Sequence, residues 1–145
     1  MNNEIISHSE LETEKFAEEF AKGLKGTEII AMYGTMGMGK TAFTRGLTRG
    51  LGSLDDVSSP TFAIVNEYKG KYPIYHFDMY RITNLDDLYS TGFFDYINNG
   101  IMIIEWSENI ESQLPNDDII KINISPGKEQ NERIIEIVNN IKHQA

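Results

Sequence analysis

Eight consecutive residues, Gly34-Thr35-Met36-Gly37-Met38-Gly39-Lys40-Thr41, carry the most chemical information in the chain. They satisfy G-x-x-x-x-G-K-[ST], the spacing of a phosphate-binding loop, with an additional glycine at Gly37. Glycines let the backbone curl until several N–H groups point into one concavity, which suits a nucleotide phosphate. Lys40 would reach the β- and γ-phosphates as a point charge, and the Thr41 hydroxyl would take one coordination position on Mg²⁺. Such a loop needs a buried strand before it and a helix after it. Residues 28–33 form a short apolar run of strand length. Residues 41–47 contain no proline and set Phe43 and Leu47 four apart on one helical face. The N-terminus of that helix would add its partial positive charge to the phosphate site.

A phosphate loop also needs an acidic partner for the metal. In parallel sheets the nucleotide lies beyond the carboxyl ends of the strands. Asp78 closes Ile74-Tyr75-His76-Phe77, and Glu105 closes Ile101-Met102-Ile103-Ile104. Either carboxylate would hold Mg²⁺ directly or through water, leaving the other to orient or deprotonate an attacking water. The residues themselves leave that assignment open. Thr61, on a loop past the helix, is a candidate switch that meets Mg²⁺ and the γ-phosphate and lets go after hydrolysis. Its competing reading is an ordinary strand start behind Pro60. Trp106, the only tryptophan, has two readings of equal weight: stacking on a ring or filling a partner pocket, and core packing. His76 alternates with Tyr75 and Phe77 and reads as a satisfied structural histidine. Arg81 and Arg133 are isolated, and a surface role suits each better than a phosphate contact. There is no Asn-Lys-x-Asp element of the guanine-reading kind, which turns the nucleotide expectation toward ATP.

The elements needed to position these groups are visible in the pattern. Ile5 and Ile6 start a short strand, and Ser9-Glu10-Leu11-Glu12 reads as a capping box, with Ser9 as N-cap and Glu12 reaching back. The helix it opens is expected to run to about Leu24, with Phe16, Phe20 and Leu24 spaced by four, Ala17 and Ala21 beside them, and Gly26 ending it. After the phosphate loop and its helix, residues 53–59 form a polar loop. Residues 62–68 and 72–77 read as a hairpin around Lys69-Gly70-Lys71, and residues 85–89 as a short helix broken at Gly92. Residues 101–104 form a buried strand, 114–118 a turn, and 119–124 with 133–138 a terminal hairpin. The chain end, 142–145, is expected to fray. With 145 residues, 40% apolar and 24% charged, the composition predicts one domain over 1–145. The predicted fold class is α/β: a P-loop NTPase-like sandwich with a mixed, partly parallel sheet flanked by helices.

Charge and composition exclude several roles. The formal net charge of −9 argues against a sequence-independent nucleic-acid surface, so any RNA target is expected to be held by another protein. The absence of cysteine removes disulfides and thiolate metal sites. No apolar run approaches the ~20 residues that span a bilayer, and no secretory signal is visible, so a cytoplasmic location without membrane attachment is expected.

Four separated elements then line up in order: residues 34–41, Ser59-Pro60-Thr61-Phe62, His76-Phe77-Asp78-Met79-Tyr80-Arg81, and Glu105-Trp106. This set resembles the TsaE (YjeE) family, small bacterial ATPases for threonylcarbamoyl-adenosine formation in tRNA, over most of the chain. The resemblance implies Mg-ATP bound by Gly34, Met36, Gly37, Met38, Gly39, Lys40, Thr41 and Ala42. It implies Thr61 as the first switch, Asp78 and Glu105 as the essential acids near the metal and γ-phosphate, and Trp106 beside the nucleotide. Glu10 matches the family's segment near the adenine, and Arg133 a C-terminal nucleotide contact. Lys40, Asp78 and Glu105 are the implied catalytic group. The implied partners are the TsaD and TsaB proteins, with tRNA engaged only through the complex, and hydrolysis slow until they bind. In two places the chain departs from the family: Thr35 stands where an acid is usual, and Met38 where alanine is usual. The alternative is a P-loop small-molecule kinase, which needs an acceptor pocket and a basic lid; no Arg-rich lid segment is present.

Overall fold

Four parallel strands form the centre of the molecule. The computed structural model describes residues 2–34, 39–57, 65–115 and 119–139. Thr35, Met36, Gly37, Met38 and the candidate switch Thr61 therefore lie outside the described residues, as do part of the 114–118 turn and the chain end. Among the described residues the strands are β1 (Asn2–Ser7), β2 (Ile29–Gly34), β3 (Val65–Lys69), β4 (Pro73–Asp78), β5 (Ile101–Glu105), β6 (Ile119–Pro126) and β7 (Arg133–Asn139). They form one sheet in the order β1-β7-β6-β2-β5-β4-β3. β2 pairs parallel with both β5 and β6, and β4 pairs parallel with β5. β1–β7, β6–β7 and β3–β4 are antiparallel.

Burial follows from this arrangement. Parallel strands covered on both faces need apolar side chains throughout, and all five residues of β5 are buried. In β7 only Ile135 and Ile137 are buried, the alternation of a strand with one covered face. The helices are α1 (Glu10–Ala21), α2 (Lys40–Gly50), α3 (Leu85–Ser90) and α4 (Phe93–Tyr96), with a 3₁₀ segment at Ser107–Gln113. Helices α1 and α2 cover one face, where Ala17, Ala21, Phe43 and Leu47 meet Ile30, Met32, Ile103 and Ile122. On the opposite face Leu88, Phe93 and Ile110 meet Phe77, Met102 and Ile104. The mixed α/β sandwich with a parallel core is the architecture the pattern predicts. No helix among the described residues is long and apolar enough to cross a membrane.

Three details differ from expectation. Helix α1 stops at Ala21 rather than near Leu24. Its buried stripe is Ala17 and Ala21, with Phe16 and Phe20 only partly buried at its edge, where both rings lie near Phe43. The reason is how closely α2 approaches. A Cβ on Gly46 would collide with the Glu14 carbonyl oxygen and lie 2.8 Å from the Ala17 Cβ. Only alanine fits beneath such a crossing. Helix α4 and the 3₁₀ segment escape a periodicity reading, because pieces this short hold too few turns to show a stripe. Finally, Glu12 does reach back from the capping box, but to the His8 N–H at 3.0 Å, while the Ser9 hydroxyl accepts from the Glu12 N–H at 3.0 Å.

Arg45 and Arg49 close the same crossing, donating to Glu14 at 2.6 and 3.1 Å. The hydrogen bond to Glu14 pushes the Arg45 guanidinium above its ordinary pKa. A Gly46→Ala variant separates packing from propensity. Helix propensity alone would stabilise it by about 1 kcal/mol. Overpacking of the crossing is expected to dominate and destabilise it by roughly 1–3 kcal/mol, read as a lower urea midpoint at unchanged slope.

Candidate functional site

Because β2, β4 and β5 run parallel, their carboxyl ends open at one edge of the sheet. β2 ends there at Gly34, β4 at Asp78 and β5 at Glu105, and Asp78 and Glu105 are direct partners in the register. The two acids singled out in the sequence are therefore neighbours. Asp78 is half-buried and accepts the Tyr80 N–H on Oδ1 at 2.9 Å. Glu105 is only 7% exposed, and its carbonyl accepts the Met79 N–H at 3.0 Å.

The start of α2 faces the same edge. Gly34 has φ 127°, and a Cβ there would strike the Ile124 carbonyl oxygen, so glycine alone lets β2 leave the sheet this close to β6. Gly39 caps α2 from the left-handed region at φ 87°, with no side-chain hydrogen bond and no acidic residue in the first turn. The first N–H groups of α2 thus have no side chain of their own helix to answer them. Thr41 is half-buried in this turn, and Ala42 is buried behind it.

Lys40 is the unusual member of the site. It is 2% exposed, its Nζ lies a long 3.5 Å from the Gly34 carbonyl and 4.7 Å from the centre of the Trp106 ring. Among the described residues no carboxylate pairs with it. A cation on an aromatic face gains about 0.5–2 kcal/mol, whereas burying an ammonium costs several. Among the described residues the ammonium therefore lacks a partner that offsets this cost. Trp106 reaches Lys40 because its backbone turns sharply after β5, at φ 59° and ψ 42°, a left-handed conformation that costs a non-glycine residue about 1–2 kcal/mol. Its indole is half-buried and also meets Tyr80 at 4.9 Å.

A second hollow opens beside the cap of α2. Glu10, Thr13, Gly39, Asn131 and Arg133 line it. Glu10 is exposed and pairs with Arg45 at 3.3 Å. Arg133 donates through Nη1 to the carbonyls of Gln130 and Glu132, at 2.9 and 2.8 Å. Its stem lies beside Gly39, so the surface position expected for it becomes a position next to the loop. Arg81 is exposed. Sequence spacing gave no sign of Thr13 or Asn131, which reach the hollow only through the pairing of β1 with β7. His8 turns its backbone N–H and its ring onto Glu12, holding that carboxyl below the usual glutamate range.

His76 is buried and hydrogen-bonded, as its alternation suggests. What the alternation does not reveal is its partner: Nε2 lies 2.5 Å from Oε2 of Glu105, and Nδ1 lies 3.0 Å from the Tyr68 hydroxyl.

Strand order, cap and loop glycines together define a P-loop NTPase-like fold. The solved structure of YdiB from Bacillus subtilis superposes with a TM-score of 0.75 at 30% identity, over 97% of this chain and 86% of that one. The family model of "Threonylcarbamoyl adenosine biosynthesis protein TsaE" matches residues 7–135. The chain belongs to the TsaE family. It is 41% identical over 136 residues to the tRNA threonylcarbamoyladenosine biosynthesis protein TsaE of Aquifex aeolicus, covering 90% of this chain and 94% of that protein. The Rickettsia felis protein of the same name is 34% identical, covering 94% and 80% respectively.

The contact of Lys40 with the only tryptophan supplies a readout. Removing the ammonium in Lys40→Ala is expected to change the emission of Trp106, measured as a shift in wavelength or intensity against the parent chain at equal concentration.

Proposed function

We propose that this chain binds and hydrolyses Mg-ATP as a subunit of the complex that forms threonylcarbamoyl-adenosine in tRNA. One observation carries the reading: a buried ammonium, Lys40, stands at an uncapped helix N-terminus without a carboxylate partner among the described residues. A polyphosphate would pair with the ammonium and accept hydrogen bonds from the first N–H groups of the helix at once. Family membership supports the tRNA modification, and the names of the relatives carry the same role. The net charge of −9 supports an indirect route to tRNA, through the TsaD and TsaB proteins, in the cytoplasm.

The donor set suits magnesium. Among the described residues no three His, Cys, Asp or Glu side chains converge on one point. Magnesium needs no such cage, because one or two carboxylates, a hydroxyl and the substrate phosphates complete its shell. Thr41 and one of Asp78 and Glu105 would hold it, and when bound it neutralises charge on the phosphate oxygens. The remaining carboxylate orients the attacking water and takes its proton. Lys40 fixes the β- and γ-phosphates, and Trp106 closes one side of the ammonium to solvent. Glu10 and Arg133 flank the hollow where the nucleoside end lies. Hydrolysis is slow in the isolated chain and rises when the partners dock.

Lys40→Ala is expected to weaken Mg-ATP binding by roughly 1.5–3 kcal/mol, about ten- to hundredfold, by titration calorimetry. Unchanged affinity would remove the central claim. Asp78→Asn and Glu105→Gln should lower phosphate release at least tenfold while leaving affinity within a few-fold, and chelating the divalent ion should stop release in the parent. Normal turnover in both variants would show that neither acid serves the reaction.

A further inference from the structure

Three side chains on three adjacent strands form one line across the sheet. Tyr68 lies on β3, His76 on β4 and Glu105 on β5. The register pairs Tyr68 with Ile74 and His76 with Ile103, so each of the three is two positions from its neighbour's partner and shares its face. This is the face covered by α2, since Tyr68, Ile74 and Ile103 all belong to the cluster that includes Phe43 and Leu47. The Tyr68 hydroxyl meets Nδ1 of His76 at 3.0 Å, and Nε2 of His76 meets Oε2 of Glu105 at 2.5 Å. All three are buried, with exposures of 4%, 1% and 7%.

We infer that Tyr68 and His76 are positioning residues that hold the Glu105 carboxylate by one oxygen and leave the other for the phosphate end of the site. The inference rests on the proposed role of Glu105. A carboxylate can only accept, so Nε2 donates to it, and in the neutral ring Nδ1 accepts the Tyr68 proton. Each group thereby fixes the rotation of the next. Among the described residues the second oxygen of Glu105 has no hydrogen bond, so the carboxylate is anchored on one side only. The chain ends at the residue before Trp106, whose left-handed backbone brings the indole to Lys40. A filler histidine would need no carboxylate partner. This one is bonded to an acid at the carboxyl end of a central strand, directly opposite Asp78 in the register.

The test uses the full chain carrying Tyr68→Phe, His76→Leu, His76→Gln or Glu105→Gln. Affinity for Mg-ATP, KM, kcat for phosphate release and thermal midpoint are measured for each. Tyr68→Phe keeps the ring and removes one hydroxyl; kcat should fall two- to fivefold with affinity and KM within twofold. His76→Leu should lose at least tenfold in kcat, and His76→Gln, whose amide can still donate to Glu105, should recover part of that loss. Parent-like kcat in both Tyr68→Phe and His76→Leu, with Glu105→Gln inactive, would overturn the brace and leave the role of Glu105 standing. Parent-like kcat in Glu105→Gln would instead overturn the reading on which the brace rests. Should His76→Leu fail to fold, Tyr68→Phe decides alone: a parent-like kcat overturns the brace, and a fall at constant KM supports it.

Discussion

The in-register parallel pairing of β4 on β5 is the constraint on which the site depends. It runs from Ile74 opposite Ile101 to Asp78 opposite Glu105. A slip of one residue would turn the side chains of one strand to the other face. Asp78 would leave Glu105, His76 would lose its acid, and Phe77 would leave the cluster it shares with Met102 and Ile104. Burial on both faces prevents this. Each apolar residue of β5 has a packed neighbour above or below the sheet, and β2 clamps β5 from its other side at Ile29–Met102, Ile30–Ile103 and Ala31–Ile104. The core thus sets where the two carboxylates stand.

The strand end and the helix start that flank residues 35–38 are tied into the same frame. Gly34 hugs β6, and Phe43, one turn into α2, is fully buried against the sheet. Across the Gly46 crossing, α2 is keyed to α1, whose own start is fixed by Ser9 and by the pairing of β1 with β7. The hollow bearing Glu10 and Arg133 is the seam where these connections meet. Its walls come from α1, the cap of α2 and the turn into β7, segments far apart in the chain.

Much of this was legible in the sequence because the signals are local. The loop pattern, the apolar run of 101–104 and the acid behind each strand need no tertiary knowledge; β5 forms over that run, and Asp78 and Glu105 close their strands where the pattern put them. Pairwise geometry was not legible. Nothing in the spacing of Tyr68, His76 and Glu105 says that they form a line, because that depends on strand order and register. The buried alanines of α1 were overshadowed by the phenylalanines beside them, since a hydrophobicity reading favours large side chains and cannot see a glycine on the opposing helix. Helix α4 and the 3₁₀ segment were too short for any period to show. Glu12 and Arg133 illustrate a finer limit: the residue type was informative, but the partner was set by a backbone turn one residue away.

The enclosure of Lys40 between an indole and the start of a helix has a consequence for evolution and engineering. Its ammonium is stripped of water when the chain folds, so that cost falls on the stability of the empty protein and not on the binding event. An unbranched apolar residue at this position would remove that cost, and with it the ammonium that the proposed phosphate contact needs. Selection for thermal robustness alone would not favour a buried lysine here, so at this position stability and the proposed phosphate contact pull in opposite directions.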